Sequence, residues 1–422
     1  MSGIPVSPRR LGSSKRDISF RDTDAAAARA IAQAAVSVEL FTIPLYMTTL
    51  YSLEGSHEAQ GKSVPGMVPS AKPASANEKA FNTLFSVLIQ EMLHLQLAAN
   101  MASAIGCTPS FSDPALQSAG HGWRCYGPDQ TVIPHIIDLA HTSTYADTRV
   151  QLGALTAEQI GLFIAIEEPE QAARDRVKPS AHDRYFPCVP FDGWTAGDAL
   201  PLFGTIGWMY ECYAEYLALQ YTDGKSLWAH LYDPQSIQQD LFNPVIPGIH
   251  PMPEYPDMAL TFTKDEAVGP AHERFKAMIN AITDQGEGST LNARPREGED
   301  PDVVKRRYRP CLKALEADYP DGHAGAAHAR FEGAKTDHYE RFVDVRDSLV
   351  ANVSLWPAGG SGGDYAAASK AAIDAIAVVT DALDAYWSGK ADSFPFSAMT
   401  GLGARMTAVW ADCGKAPDLT GA

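Results

Sequence analysis

The 422-residue sequence has no cysteine pair at CxxC spacing, no long uninterrupted apolar run and no excess of positive charge. Its six cysteines, Cys107, Cys125, Cys188, Cys212, Cys311 and Cys413, are scattered. A chain of this length does not need disulfide staples, so they are expected to be reduced thiols. No stretch approaches the ~18 consecutive apolar residues of a membrane span. Arg9-Arg10 is not followed by the apolar segment of a signal peptide, so the expectation is a cytoplasmic protein with no membrane partner. With 34 basic against 51 acidic residues the net charge is −17, which argues against a nucleic-acid groove. The period-2 alternation of half-buried strands is also missing, which leaves helices as the building material.

What is present is globular: 45% hydrophobic and 20% charged residues, in a chain long enough to bury roughly 75% of its unfolded surface. A flexible basic tail is expected over residues 1–21, then a first helix from Asp22-Thr23-Asp24 to about Leu53. A proline-bearing loop leads to a second helix, Asn77 to Ile105, stopped by Gly106 and Pro109. The passage 107–199 is too long for a hairpin and carries one helical segment, about Ala157 to Arg174. Further helices are expected over Leu200–Tyr221, Val268–Asp284 and Ala326–Val353. They are separated by a proline-rich excursion at 233–257 and by a Gly-rich, charged loop that starts near QGEGS. AGGSGG at 358–363 links to a closing helical pair, Tyr365–Trp387 and Ser397–Trp410. The fold class is therefore all-α: a helical bundle (22–357) with a long crossover and loop insertions, plus an added C-terminal pair (364–413).

Polar groups interrupt the apolar stripes in a telling way. The inward face of the second helix is Leu84, Val87, Leu88, Glu91, Leu95, Ala98 and Met101, with His94 one turn after Glu91 on that face. In the first helix Glu39 borders the inward face of Ala35, Val38, Thr42, Leu45 and Thr49, and Pro44 removes a backbone donor nearby. A carboxylate in a core costs several kcal/mol unless it has a strongly charged partner, and a metal ion is such a partner. A four-helix di-metal centre takes one Glu and one Glu-x-x-His from each half of the bundle. Glu39, Glu91 and His94 supply the first half. For the second half, His338 shares a stripe with Phe331, Phe342, Val345 and Leu349, and Glu211 lies in LFGTIGWMYECYAEYLAL with Glu215 one turn on. One of those two is expected on a solvated face.

Lys335 stands three residues before His338, where the pattern calls for Glu. An ammonium there would repel a second dication by about 4 kcal/mol at ~4 Å and an effective dielectric of 20. The expectation is at most one firmly held metal, with Lys335 paired to a carboxylate such as Glu167 or Glu287. Those two otherwise read as cap or loop contacts, or as replacement ligands. His272 and His328 read as surface histidines; Tyr46, Tyr210 and Trp208 read as core that could line a cavity.

The stretches VELFTIPLYMTTLYSLEG, VLIQEMLHLQLAANMASAIGCTP, FIAIEEPE, TIGWMYECY, ITDQGEGS and HYERFVDV resemble the ferritin-like domain family that includes the violacein-pathway iminophenylpyruvate dimer synthase. The resemblance runs over roughly residues 25–413. It implies a ferritin-like bundle and oxidative chemistry on small metabolites, with family ligands carried onto Glu39, Glu91, His94 and His338.

Two functions of different kinds follow. One is a non-haem oxidase or oxygenase in specialised biosynthesis, using dioxygen on a small, aromatic or amino-acid-derived metabolite. Glu39, Glu91, His94 and Lys335 would be its reactive groups, and iron its metal, with manganese, zinc or copper as alternatives. The other is a non-catalytic scaffold or partner protein with a relic metal site that binds a biosynthetic partner. For either function the expected protein partners are a second copy in a homodimer or a biosynthetic partner enzyme.

Overall fold

The computed structural model describes residues 15–57, 75–118, 122–241, 260–285 and 337–420. Among them are helices and connecting turns but no strand, only isolated bridges. The two longest helices, α1 (Arg21–Leu50) and α2 (Ala76–Ala104), form the central antiparallel pair. The helical stretch 18–50 is long and apolar enough to cross a membrane, yet 89% of its 18-residue apolar window is buried within the fold, as in a central core helix.

Sequence explains these boundaries with one adjustment. Ser75 and Glu78 form a reciprocal capping box at the start of α2. At the start of α1 the chain turns earlier than Asp22. Asp17 caps a 3-10 turn at Ile18–Phe20, and Asp24 instead takes Arg16 and the Tyr221 hydroxyl. Residues 16–20, expected within a free tail, are thus tied down. Arg16 also bonds the Gln220 carbonyl through its backbone.

Helix α1 continues through Pro44. The proline brings no N–H to the Leu40 carbonyl, and the adjacent Phe41 carbonyl accepts from Tyr126.

The crossover holds α3 (Ala157–Ile166), α4 (Glu170–Arg176) and the single turn α5 (His182–Tyr185). The helical segment expected as one piece to Arg174 is broken at 167–169, because Pro169 excludes the preceding residue from helical backbone. After it come α6 (Ile206–Ala218), packed on α1, then α7 (Leu227–Leu231) and α8 (Val268–Gln285).

Helix α9 (His338–Asp344) packs against α3 and runs on through a π segment, Val345–Leu349, into a 3-10 turn. Its start differs from the expected Ala326–Val353 helix. Asp337 is an extended N-cap with a capping box to Glu340, so the described helix begins at His338. Residues 326–336 lie outside the described set.

The C-terminal pair, α10 (Tyr365–Trp387) and α11 (Phe396–Cys413), falls close to its expected bounds. It is fastened to the bundle at both ends. The Trp410 indole donates to the Thr48 carbonyl of α1 (2.8 Å), and the Trp387 indole donates to Asn100 of α2 (3.1 Å). Gly414 ends α11 in the left-handed region, where glycine carries no Cβ penalty. The five described cysteines are free, in keeping with reduced thiols.

Trp410 is nearly fully buried, so Trp410→Ala loses both its packing and its hydrogen bond to α1. We expect a destabilisation of about 3–5 kcal/mol in guanidinium unfolding. A loss below about 1 kcal/mol would mean that the pair is not docked as described.

Candidate metal centre

Four helices deliver carboxylates and imidazoles to one interior space. Helix α1 brings Glu39, α2 brings Glu91 and His94, the end of α3 brings Glu167, and the first residue of α9 is His338. All five are buried, Glu167, His94 and His338 completely. They form two groups, Glu39–Glu91–His94 and Glu91–Glu167–His338, each with one potential ligand atom per residue within 4.8 Å of the others. Glu91 belongs to both. His94 Nδ1 is 3.7 Å from Glu39 Oε2 and 3.7 Å from Glu91 Oε1. His338 Nδ1 is 2.9 Å from Glu91 Oε1 and 3.6 Å from Glu167 Oε2. The two imidazoles lie nearly parallel, 28° apart in plane, with centroids separated by 5.5 Å.

The surrounding hydrogen bonds repeat from one half to the other. The Tyr210 hydroxyl donates to Glu39 Oε1 (2.6 Å), and the Tyr46 hydroxyl donates to Glu167 Oε1 (2.5 Å). The shared carboxylate is held by Thr42, whose hydroxyl lies 2.8 Å from Glu91 Oε2. Tyr46 itself packs against Phe163 and Phe342, so an aromatic wall closes the Glu167 side. Each outer carboxylate is thus fixed through one oxygen and presents the other inward.

Hydrogen-bond logic also sets the orientation of His338. Arg341 Nη1 donates to Gln90 Oε1 (2.6 Å), and a guanidinium can only donate, so that atom of Gln90 is its carbonyl oxygen. The same oxygen lies 2.9 Å from His338 Nε2, which must therefore be the N–H. In the neutral ring Nδ1 is left with its lone pair turned toward Glu91 and Glu167, the arrangement that a metal-ligating histidine requires. Glu91 Oε1, Glu167 Oε2 and His338 Nδ1 are buried without a hydrogen-bond partner, because their mutual approaches are short but not aligned for hydrogen bonding. Buried polar atoms are seldom left so, and a divalent cation would satisfy all three. The donor set of carboxylate oxygens and imidazole nitrogens suits iron or manganese.

Protonation follows the same crowding. Burial, and next the Glu91 charge, raise Glu39 well above the usual carboxylate range, against the Tyr210 hydrogen bond. For His338, burial opposes the imidazolium, but Glu167 and Glu91 overcome it and raise the group to about 9. Behind the second group Arg176 pairs with Glu168 and bonds the Tyr145 and Tyr339 hydroxyls. Glu168 and Tyr339 directly follow Glu167 and His338, so one guanidinium braces the chain beside both residues. Burial pushes Glu168 up to about 7 against that guanidinium.

Of the residues singled out in the sequence, Glu39, Glu91, His94, Glu167 and His338 are brought together. Glu211 is buried on α6 but belongs to neither group. Its neighbour Tyr210 turns to the site instead, since adjacent helical residues point about 100° apart. Glu215 is exposed. Glu167, expected as a possible partner of Lys335, is engaged by Tyr46 and His338. Lys335 and Glu287 lie outside the described residues, as does His328; the described helix that carries His338 begins at that residue after an extended Asp337. His272, expected at the surface, stacks half-buried on Trp228. Sequence reasoning missed Gln90 and Arg341 altogether. The available signals were an amide beside Glu91 and a cation one turn after His338.

The chain belongs to the ferritin-like family, whose family model matches residues 32–305. Among solved structures, a ferritin-like protein from Caulobacter vibrioides is similar at 19% identity, with a TM-score of 0.54, covering 91% of this chain and 95% of that one. At that identity the likeness speaks for the fold alone. No curated protein matches the chain.

Metal affinity should depend on pH in one direction. Glu39 and His338 both hold their protons to unusually high pH, and a cation must displace those protons. Affinity should therefore rise with pH up to about 9, by up to about tenfold per unit for each proton displaced. Competition titrations with manganese at several pH values measure this. An affinity independent of pH between 6.5 and 9 would contradict the assignment of these groups.

Proposed function

We propose that this chain is a non-haem oxidase or oxygenase built on a two-metal carboxylate centre, with dioxygen as co-substrate and a small metabolite as substrate. The observation that carries the reading is the pair of Glu/His groups sharing Glu91, since a carboxylate common to two adjacent sites is suited to bridging two cations. Glu39 and His94 would hold one ion and Glu167 and His338 the other, with iron favoured and manganese, zinc or copper as alternatives. Bound there, iron, manganese or copper would supply the redox capacity to activate dioxygen, a capacity zinc lacks.

The chain's own residues do the rest. Tyr210, Tyr46 and Thr42 orient the three carboxylates by donating to their outer oxygens. Gln90 keeps the proton of His338 on Nε2, leaving Nδ1 for the ion. Phe163 and Phe342 exclude water from the Tyr46 side, which strengthens electrostatic interactions inside. Among the described residues, the count of ligands is one carboxylate short of the symmetric pattern of two Glu and two Glu-x-x-His. Such a deficit leaves coordination positions for dioxygen and substrate. The substrate class proposed, aromatic or amino-acid-derived and from specialised biosynthesis, rests on the sequence resemblance to the violacein-pathway domain, and a cytoplasmic setting rests on the absence of a signal-peptide pattern after Arg9-Arg10.

The test is dioxygen consumption by protein reconstituted with ferrous iron. The unaltered chain should consume dioxygen, and Glu91→Ala should lose on the order of 100-fold or more in rate while remaining folded. Equal rates in both proteins, or no uptake by the iron-loaded unaltered chain, would favour the scaffold reading.

A further inference from the structure

On the other face of the α1–α2 pair lies a second interior space that the metal centre does not use. It is a cavity of about 170 Å³ between that pair and the C-terminal helices. Its α1–α2 wall includes Leu40, Met92 and Leu95, the residues that directly follow Glu39, Glu91 and His94. Val379 of α10 and Leu402 of α11 close the opposite side. Thr380 is the one hydroxyl-bearing side chain among the described lining residues, and it donates to the Ala377 carbonyl of its own helix. The described side chains therefore offer no free donor, and the Thr380 hydroxyl oxygen is their one acceptor.

Three physical points identify what such a space accepts. Water needs two to four polar partners, and the described side chains provide at most one acceptor, Thr380 Oγ1, so the cavity is suited to staying dry. Apolar cavities of about 150 Å³ hold one benzene molecule or xenon, which fixes the size class. A void of this volume forfeits dispersion contacts along its whole lining, and an apolar guest restores them. Methionine at 92 adds a wall that adapts to the shape of a guest.

We infer that the space under the C-terminal pair is a binding site for one small hydrocarbon group, a single six-membered ring or a chain of similar volume. The site is distinct from the metal centre and does not depend on the metal reading. A guest would press on the backs of the same helical turns that present Glu39, Glu91 and His94.

The experiment uses the full chain with benzene and, separately, with xenon. Benzene should raise the melting temperature saturably, by about 2–4 °C, and xenon-pressurised crystals should show one anomalous peak between α1–α2 and α10–α11. Val379→Phe and Leu402→Phe fill the space from the C-terminal side and should each abolish both signals. Circular dichroism and unchanged metal content report that these variants are folded. Absence of both signals in the unaltered chain overturns the inference. So does a benzene shift that persists in both folded, filled variants.

Discussion

Three carboxylates and two imidazoles share one buried space at the centre of this bundle, and most of the surrounding structure is arranged around that constraint. Left to themselves Glu39, Glu91 and Glu167 would repel one another in a medium of low dielectric. The raised protonation range of Glu39 and of His338 records that strain. Each carboxylate is answered by one hydroxyl, from Tyr210, Thr42 or Tyr46, and each inward atom is left for something more strongly charged than a hydrogen-bond donor. The polar residues that appear misplaced in an apolar core are thus mutually dependent.

That dependence explains why short and irregular elements are held so firmly. Helices α3 and α9 are 10 and 7 residues long, well below the length that is stable in isolation. They contribute Glu167 and His338 from their ends, where backbone is least constrained. Arg176 compensates by gripping Glu168, Tyr145 and Tyr339, and Arg341 does so by fixing Gln90 against His338. On the opposite side the C-terminal pair supports the long α1–α2 pair through Trp410 and Trp387. The central pair thus carries the Glu and His cluster on one face and apolar side chains on the other.

Much of this was legible in the residues. Stripe analysis found the two long helices, the closing pair and four of the five clustered Glu and His residues, because burial along a regular helix leaves a 3.6-residue pattern. It went astray where regularity stops. Glu167 follows the last residue of α3, outside any stripe, and only Pro169 hints that the chain turns there. On α6 periodicity left Glu211 and Tyr210 as neighbours and could not say which faces α1, since rotation about a helix axis is set by packing with distant segments. The expected helix ran unbroken from Ala326 through His338, and that is where it departs from the described structure. Asp337, an N-capping residue type with Glu three positions on, was the local signal that the helix starts later.

The account stands on Glu91 lying between two cation sites, and anomalous diffraction at the metal edge addresses that directly. Crystals of the chain reconstituted with iron or manganese should give two peaks, one beside Glu39 and His94 and one beside Glu167 and His338, with Glu91 between them. A single peak served by only one of these groups, or none after reconstitution, would contradict it.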